Sequence, residues 1–173
     1  FVVSRTEVDY VNRMAEVVFN NGDLLHFLHM TSPDYMDGFD EVDVYNIRKY
    51  MVDHYYNILN HKDTVFIEDN PDIPQYIKII EAGGHSVKHH AYIVKRKKCE
   101  FLIAGDAVSN RFIYKSTEND YRKGIHVDLD EFYSTRDLLK NVKGVIVPGH
   151  DKPFFTNTFS SLRRDFFDID EIE

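Results

Sequence analysis

The hydrophobic period of this chain changes near Thr64, and that change restricts the fold more than any other feature. Before it, Val8, Val11, Ala15 and Val18 recur at helical spacing, with Met14 beside them. Thr6 and Asp9, three apart, predict the start of that helix, and Gly22 its stop. A short strand, Phe1–Ser4, precedes it. Residues 23–42 read as a short helix or strand followed by a loop, with turn chemistry at Ser32-Pro33-Asp34 and Asp37-Gly38. A second helix is predicted over about 43–60, with Val44, Ile47, Met51, Tyr55 and Ile58 as its buried stripe. After Thr64 the runs are short and strand-like: Thr64–Glu68, Tyr76–Glu81, His90–Lys97 and Glu100–Ala104. Asn70-Pro71-Asp72 and Ile73-Pro74 mark a turn, and Lys95–Lys98 a charged hairpin tip. A third helix (129–141, with Leu129, Phe132, Leu138 and Val142 inward), a buried strand Gly144–Val147 and a terminal helix Phe159–Phe167 follow. The order is helices, mainly antiparallel strands, then helix–strand–helix. That mixed α/β pattern excludes a pure bundle and a pure sandwich.

At 173 residues the chain has the length of one domain. We divide it into a mainly helical part (1–63), a strand-rich part (64–152) and a C-terminal helix with an acidic tail (153–173). The net charge of −8, with Lys and Arg scattered, argues against nucleic-acid binding by counterion release and against a polybasic membrane contact. The single Cys99 excludes an internal disulfide and a cysteine-rich zinc module. With no apolar run of membrane-spanning length and no signal-peptide pattern, a cytoplasmic location is expected. The chain opens inside a strand, so a processed or truncated product, incomplete at its N-terminus, is expected.

Three motifs carry chemistry, each at the end of a predicted strand. They are Gly83-Gly84-His85-Ser86-Val87-Lys88-His89, Ala104-Gly105-Asp106-Ala107, and Val147-Pro148-Gly149-His150-Asp151. Glycine lets the backbone turn sharply and approach another group closely. A strand end is a rigid platform for a ligand. Two imidazoles and a carboxylate suit Zn²⁺, Fe²⁺ or Mn²⁺, and a carboxylate can bridge two ions. Singly, each motif reads more readily as turn chemistry. Together, all following buried strands, they favour the ligand reading.

This order of motifs resembles the later metal motifs of the metallo-β-lactamase-fold hydrolase superfamily, most nearly its lactonase and glyoxalase II type branch. The resemblance covers about residues 1–152. It implies an α+β sandwich of the αββα type, of which this chain is the C-terminal part. It implies that His85 ligates one metal, His150 a second, and Asp106 bridges the two as the catalytic carboxylate. His89 stands where such proteins often have a supporting histidine. Ser86, Ser109 and Asp151 are further candidates for support or substrate contact. Related lactonases place a tyrosine near Ser109; Tyr114 lies several residues too far along, and reads as core. Asp151 either orients His150 or caps the following turn. The resemblance further implies one or two zinc ions, with iron or manganese as alternatives.

One departure is large. The superfamily's His-x-His-x-Asp-His motif is absent, and His26-x-x-His29 lacks the Asp-His that should follow. An upstream segment of the same protein is therefore expected to carry the remaining ligands, and a homodimer is possible. Three functions follow. The first is hydrolysis of a small-molecule ester, lactone or thioester by a metal-activated hydroxide. The second is phosphodiester cleavage by the same ligands, and the third a non-catalytic half-fold binding module. Tyr50, Tyr55 and Tyr56 on one helix are weak candidates for a substrate groove.

Overall fold

The computed structural model describes residues 2–31, 40–69, 71–97, 99–117 and 126–156. The expected terminal helix 159–167, the turns at 32–38, the acidic tail, Phe1, Asn70, Lys98 and the Val44 side chain lie outside the described residues. Strand β1 (Val2–Val3) leads into helix α1 (Arg5–Phe19), followed by α2 (Leu24–Thr31) and α3 (Glu41–Leu59). Strand β2 (Val65–Phe66) pairs in parallel with β1. A second sheet is built from β3 (Ile77–Glu81), β4 (His90–Lys95), β5 (Glu100–Gly105), β6 (Val145–Pro148) and β7 (Phe154–Phe155), in that spatial order. Helices α4 (Arg111–Lys115) and α5 (Leu129–Leu139) lie between β5 and β6 in the chain.

The start of α1 differs from the expected one. Its N-cap is Ser4, whose hydroxyl accepts the Thr6 N–H at 3.2 Å. Ser4 and Glu7 have capping-box spacing, yet Glu7 does not close the box. Glu68, distant in the chain, supports the same helix end: its carboxylate accepts the Ser4 hydroxyl at 2.7 Å and the Arg5 N–H at 3.0 and 3.1 Å. The Ser4 hydroxyl, followed by the Arg5 backbone bond, holds the Glu68 carboxyl below its ordinary value. A folded pKa below the unfolded one adds stability above about pH 4.3, and that stability fades as pH falls through the folded value. Glu68→Gln should flatten this acid limb when the thermal midpoint is followed against pH. An unchanged limb would remove Glu68 from the account.

At its far end α1 stops in a Schellman turn, with Asn21 in the left-handed conformation (φ +52°). Asn21 N–H bonds to the Val18 carbonyl at 3.2 Å and Gly22 N–H to the Val17 carbonyl at 2.7 Å. Gly22 is thus one residue beyond the left-handed position expected of it.

Tyr10, Met14 and Ala15 of α1 meet Leu24 and Leu28 of α2 and Val52 of α3 in one buried cluster. Full burial stabilises an aliphatic side chain of this size by about 1.5–3 kcal/mol over exposure. The buried side of α3 runs through Arg48 and Val52, whereas Tyr55 and Ile58 of the expected stripe are exposed. Ile47 and Met51 of that stripe are half-buried, so the inward face lies one position further along than expected and includes an arginine. In α5 the inward leucine is likewise Leu139, and Leu138 is exposed.

The second sheet is apolar on both faces. Ile93, Leu102, Ile146 and Phe154 pack on one side with Leu139 of α5 and Tyr114 of α4. On the other side, cross-strand register aligns Ile77, Val94, Phe101, Val145 and Phe155 in one row and Ile79, Tyr92, Ile103 and Val147 in the next. Ile103 on that face is 43% exposed. Strand β7 was not expected from the sequence. No helix among the described residues is long and apolar enough to cross a membrane.

Strands β3 and β5 are both antiparallel to β4, and β6 is parallel to β5. Hence β3, β5 and β6 point the same way, and the three motifs emerge at the same end of the sheet.

Candidate metal centre

The first motif leaves β3 through a turn fastened to α5. The Gly84 carbonyl accepts the N–H groups of Val127 (2.9 Å) and Asp128 (3.1 Å), and Thr135 Oγ1 donates to the Gly83 carbonyl at 3.0 Å. Gly84 has φ +103°, and a Cβ there would overlap the Phe132 backbone nitrogen and Cα. A Cβ on Gly83 would overlap the Glu131 carboxylate. Burial and the neighbouring Asp128 push the Glu131 carboxyl up. These glycines let the chain turn directly against the start of α5 and deliver His85.

The second motif leaves β5 at Gly105, which has φ +53°. Its missing Cβ admits the His89 ring, whose Nε2 would lie 3.1 Å from such an atom. His89 Nε2–H donates to the Ala104 carbonyl at 3.1 Å. His89 thus braces the end of β5. The chain enters a single 3₁₀ turn at Asp106–Val108, and the β5–β6 register slips between Ile103 and Gly105. The third motif is fastened to the second. Gly149 N–H bonds to the carbonyls of Gly105 (2.9 Å) and Val108 (3.2 Å), and His150 N–H to that of Ser109 (2.7 Å). A Cβ on Gly149 would overlap Asp106 Oδ1.

These turns bring His85, Asp106 and His150 together. Asp106 Oδ2 lies 3.5 Å from His85 Nε2, and Asp106 Oδ1 lies 3.0 Å from His150 Nε2. The carboxylate therefore stands between the two imidazoles with one oxygen toward each. Burial pushes the His85 pKa down to about 4, with His126, His89 and Arg48 adding to the shift and Asp106 opposing it. His85 is thus neutral at pH 7, the form in which imidazole binds a metal. The His150 side chain is 72% exposed.

The other candidates fall elsewhere. Ser86 Oγ donates to Glu7 Oε1 at 2.7 Å. Asp151 accepts the N–H groups of Arg111 (3.1 Å) and Lys152 (2.7 Å), so it caps turns, and no described bond joins it to His150. Ser109 serves through its backbone carbonyl. Tyr114 is buried against Phe154, ring centroids 5.2 Å apart. His26 and His29 are exposed on α2. Tyr50 stacks on His54 at 3.8 Å and is 58% exposed.

Sequence reasoning missed His126. It is 3% exposed, lies against Phe132 with ring centroids 4.0 Å apart and planes tilted by 34°, and sets its ring edge-on to His85 at 5.8 Å. It follows no strand–glycine signal; its apolar neighbours Ile125 and Val127 are the only hint that it faces inward.

Do these groups fit a metal ion? Among the described residues no cluster of three or more His, Cys, Asp and Glu is gathered closely enough to hold one as it stands. The donor set does fit a divalent ion of the zinc kind: two imidazoles, one of them held neutral, and a carboxylate. Asp106 Oδ1 is buried and accepts no aligned hydrogen bond. With the largely exposed His150 ring 3.0 Å away but not aligned to donate, this buried oxygen is poorly satisfied, and a cation would satisfy it.

The dizinc quorum-quenching lactonase AidC, solved with N-hexanoyl-L-homoserine as product, superposes with a TM-score of 0.59 over 89% of this chain at 14% identity. The chain has the metallo-β-lactamase fold. Two further solved structures of lower score align in part. Hydrolase AbOPH of the β-lactamase superfamily gives 0.48 over 87% of the chain at 18% identity. A Bacillus thuringiensis AiiA variant bound to N-decanoyl-L-homoserine gives 0.45 over 56% at 20% identity. The chain spans less than half of each: 49%, 47% and 39% of their lengths. No family model matches it, and no curated protein does. The three motifs lie at one end of the sheet, after β3, β5 and β6.

Proposed function

We propose that the whole protein is a metal-dependent hydrolase that cleaves an ester, lactone or thioester in a small molecule by a metal-activated hydroxide. The placement of Asp106 carries this reading: three separate strand ends converge so that one carboxylate addresses two imidazoles. His85, Asp106 and His150 would hold one or two divalent ions, zinc first, with iron or manganese as alternatives. When bound, such an ion supplies hydroxide at neutral pH and polarises the carbonyl under attack.

The chain's own residues prepare that site. His85 is kept neutral, so no proton has to leave before it binds. Gly149 leaves the space that the Asp106 carboxylate fills. His89 fixes the end of β5 from which Asp106 projects. The exposed His150 marks the side open to solvent, where a substrate would enter. Three donors do not complete two ion sites, so an upstream segment of the same protein would contribute the rest.

The loose gathering of donors favours a second reading, a module that binds and does not catalyse. Turnover separates the two. The purified whole protein is assayed on ester, lactone, thioester and phosphodiester reporters before and after exhaustive chelation. Chelation should lower turnover of a carbonyl substrate by about 100-fold or more, and zinc should restore it. Undiminished turnover in metal-free protein would end the metallohydrolase reading. Absence of turnover on every reporter, with zinc bound, would favour the module, and cleavage of the phosphodiester alone would move the reaction to that class.

A further inference from the structure

We infer that Glu7, the third residue of α1, is a positioning residue that holds the His85 loop in place for metal binding; this rests on the reading of His85 as a ligand. Glu7 Oε1 accepts two hydrogen bonds from that loop, one from Ser86 Oγ at 2.7 Å and one from the Lys88 backbone N–H. These partners are the first and third residues after His85. They lie 79 and 81 positions from Glu7 in the chain, so the contact is tertiary and not an accident of local geometry.

The local sequence makes the assignment sharper. Ser4-Arg5-Thr6-Glu7 has the spacing in which the glutamate ordinarily turns back to the N-cap N–H of its own helix. Here Glu68 binds the Ser4 hydroxyl and the Arg5 N–H at that helix end. Glu7 instead reaches across to the loop. A carboxylate accepting a hydroxyl and a backbone N–H makes charge-assisted bonds, stronger than neutral ones.

His85 is then held from both sides. The Gly84 carbonyl before it is fixed by the Val127 and Asp128 N–H groups, and Gly84 N–H bonds to the Ser86 carbonyl at 3.1 Å. Glu7 fixes the residues after it. Without Glu7 the loop is still tied at His89, whose carbonyl accepts the Ala82 N–H at 2.8 Å, but Lys88 keeps only its side-chain pair with Glu81 Oε2 at 2.7 Å, on a largely exposed glutamate side chain, among the described bonds. Such an exposed pair contributes little. A ligand whose supporting bonds are removed typically loses about 10–100-fold in metal affinity.

The test uses the whole protein with Glu7→Ala, Glu7→Gln and Ser86→Ala. Zinc affinity is measured by chelator competition, and exchange of the Lys88 amide by hydrogen–deuterium exchange in metal-free protein. The expected result is faster Lys88 exchange in Glu7→Ala with zinc affinity lower by about 10–100-fold. Glu7→Gln keeps an oxygen acceptor and should retain most of that affinity, a rescue that a merely stabilising role does not predict. Ser86→Ala should weaken zinc less, and combined with Glu7→Ala should add little further. If Glu7→Ala does not fold, Ser86→Ala and Glu7→Gln carry the same comparison. Unchanged Lys88 exchange, or zinc affinity within about twofold of the parent in folded Glu7→Ala, overturns the inference. If the parent protein binds no zinc while Lys88 exchange still responds to Glu7→Ala, the contact is real. The ligand reading has then failed, and the positioning role falls with it.

Discussion

Asp106→Ala in the whole protein is expected to lower kcat/KM by at least ~10³-fold, equivalent to ~4 kcal/mol of barrier, without unfolding it. Asp106 is the one group that addresses both imidazoles, at 3.5 and 3.0 Å. Its loss removes the negative charge that a divalent ion requires and separates the two halves of the site. The fold should not suffer. The carboxylate is partly exposed, and its buried oxygen accepts no aligned hydrogen bond. Asp106→Asn keeps the volume and removes the charge, so the metal-free protein should melt at the same temperature or higher while activity is lost. Such an exchange of stability for function is common at active sites. Kinetics and thermal melts on the same two variants decide the matter. Activity within tenfold of the parent would remove Asp106 from the chemistry.

The second large effect is on folding. Gly84→Ala is expected to destabilise the protein by about 3–5 kcal/mol, enough to abolish soluble expression in a marginally stable domain. Two terms combine. The backbone at φ +103° is strained for any L side chain, and the new Cβ would overlap backbone atoms of Phe132 that cannot swing aside. Gly149→Ala makes a useful contrast. The new Cβ overlaps the Asp106 side chain, which can move, and lies only 3.0 Å from the Gly105 backbone carbon, a milder backbone contact than at Gly84, and Gly149 has no positive φ. That variant should fold and lose metal. Chemical denaturation of both variants tests the difference; a Gly84→Ala protein as stable as the parent would show that the turn against α5 can relax.

These variants also show what the sequence reveals and what it conceals. The three strand-end motifs are legible because a β-rich run, a glycine and a His or Asp are local features, and co-directional strands carry them to one end of the sheet. Glu7 is not legible as a loop clamp. Its spacing from Ser4 fits a helix cap, whereas its partners lie about eighty residues along the chain, at Ser86 and Lys88. His126 belongs to no motif and gains its place from backbone bonds between Gly84 and the start of α5. The α3 stripe is only partly legible because periodicity counts apolar residues, and Arg48 occupies an inward position. Strand β7 is two residues long after a proline, too short to announce itself. It forms because Phe154 and Phe155 find partners in Ile146 and Val145.

The most direct test is anomalous X-ray diffraction at the zinc edge from zinc-loaded crystals of the whole protein. The account predicts an anomalous peak about 2.0–2.2 Å from an Asp106 carboxylate oxygen and from the Nε2 of His85, of His150, or of each in turn for two ions. A protein that takes up no zinc, or a peak held by other side chains and away from Asp106, would contradict it.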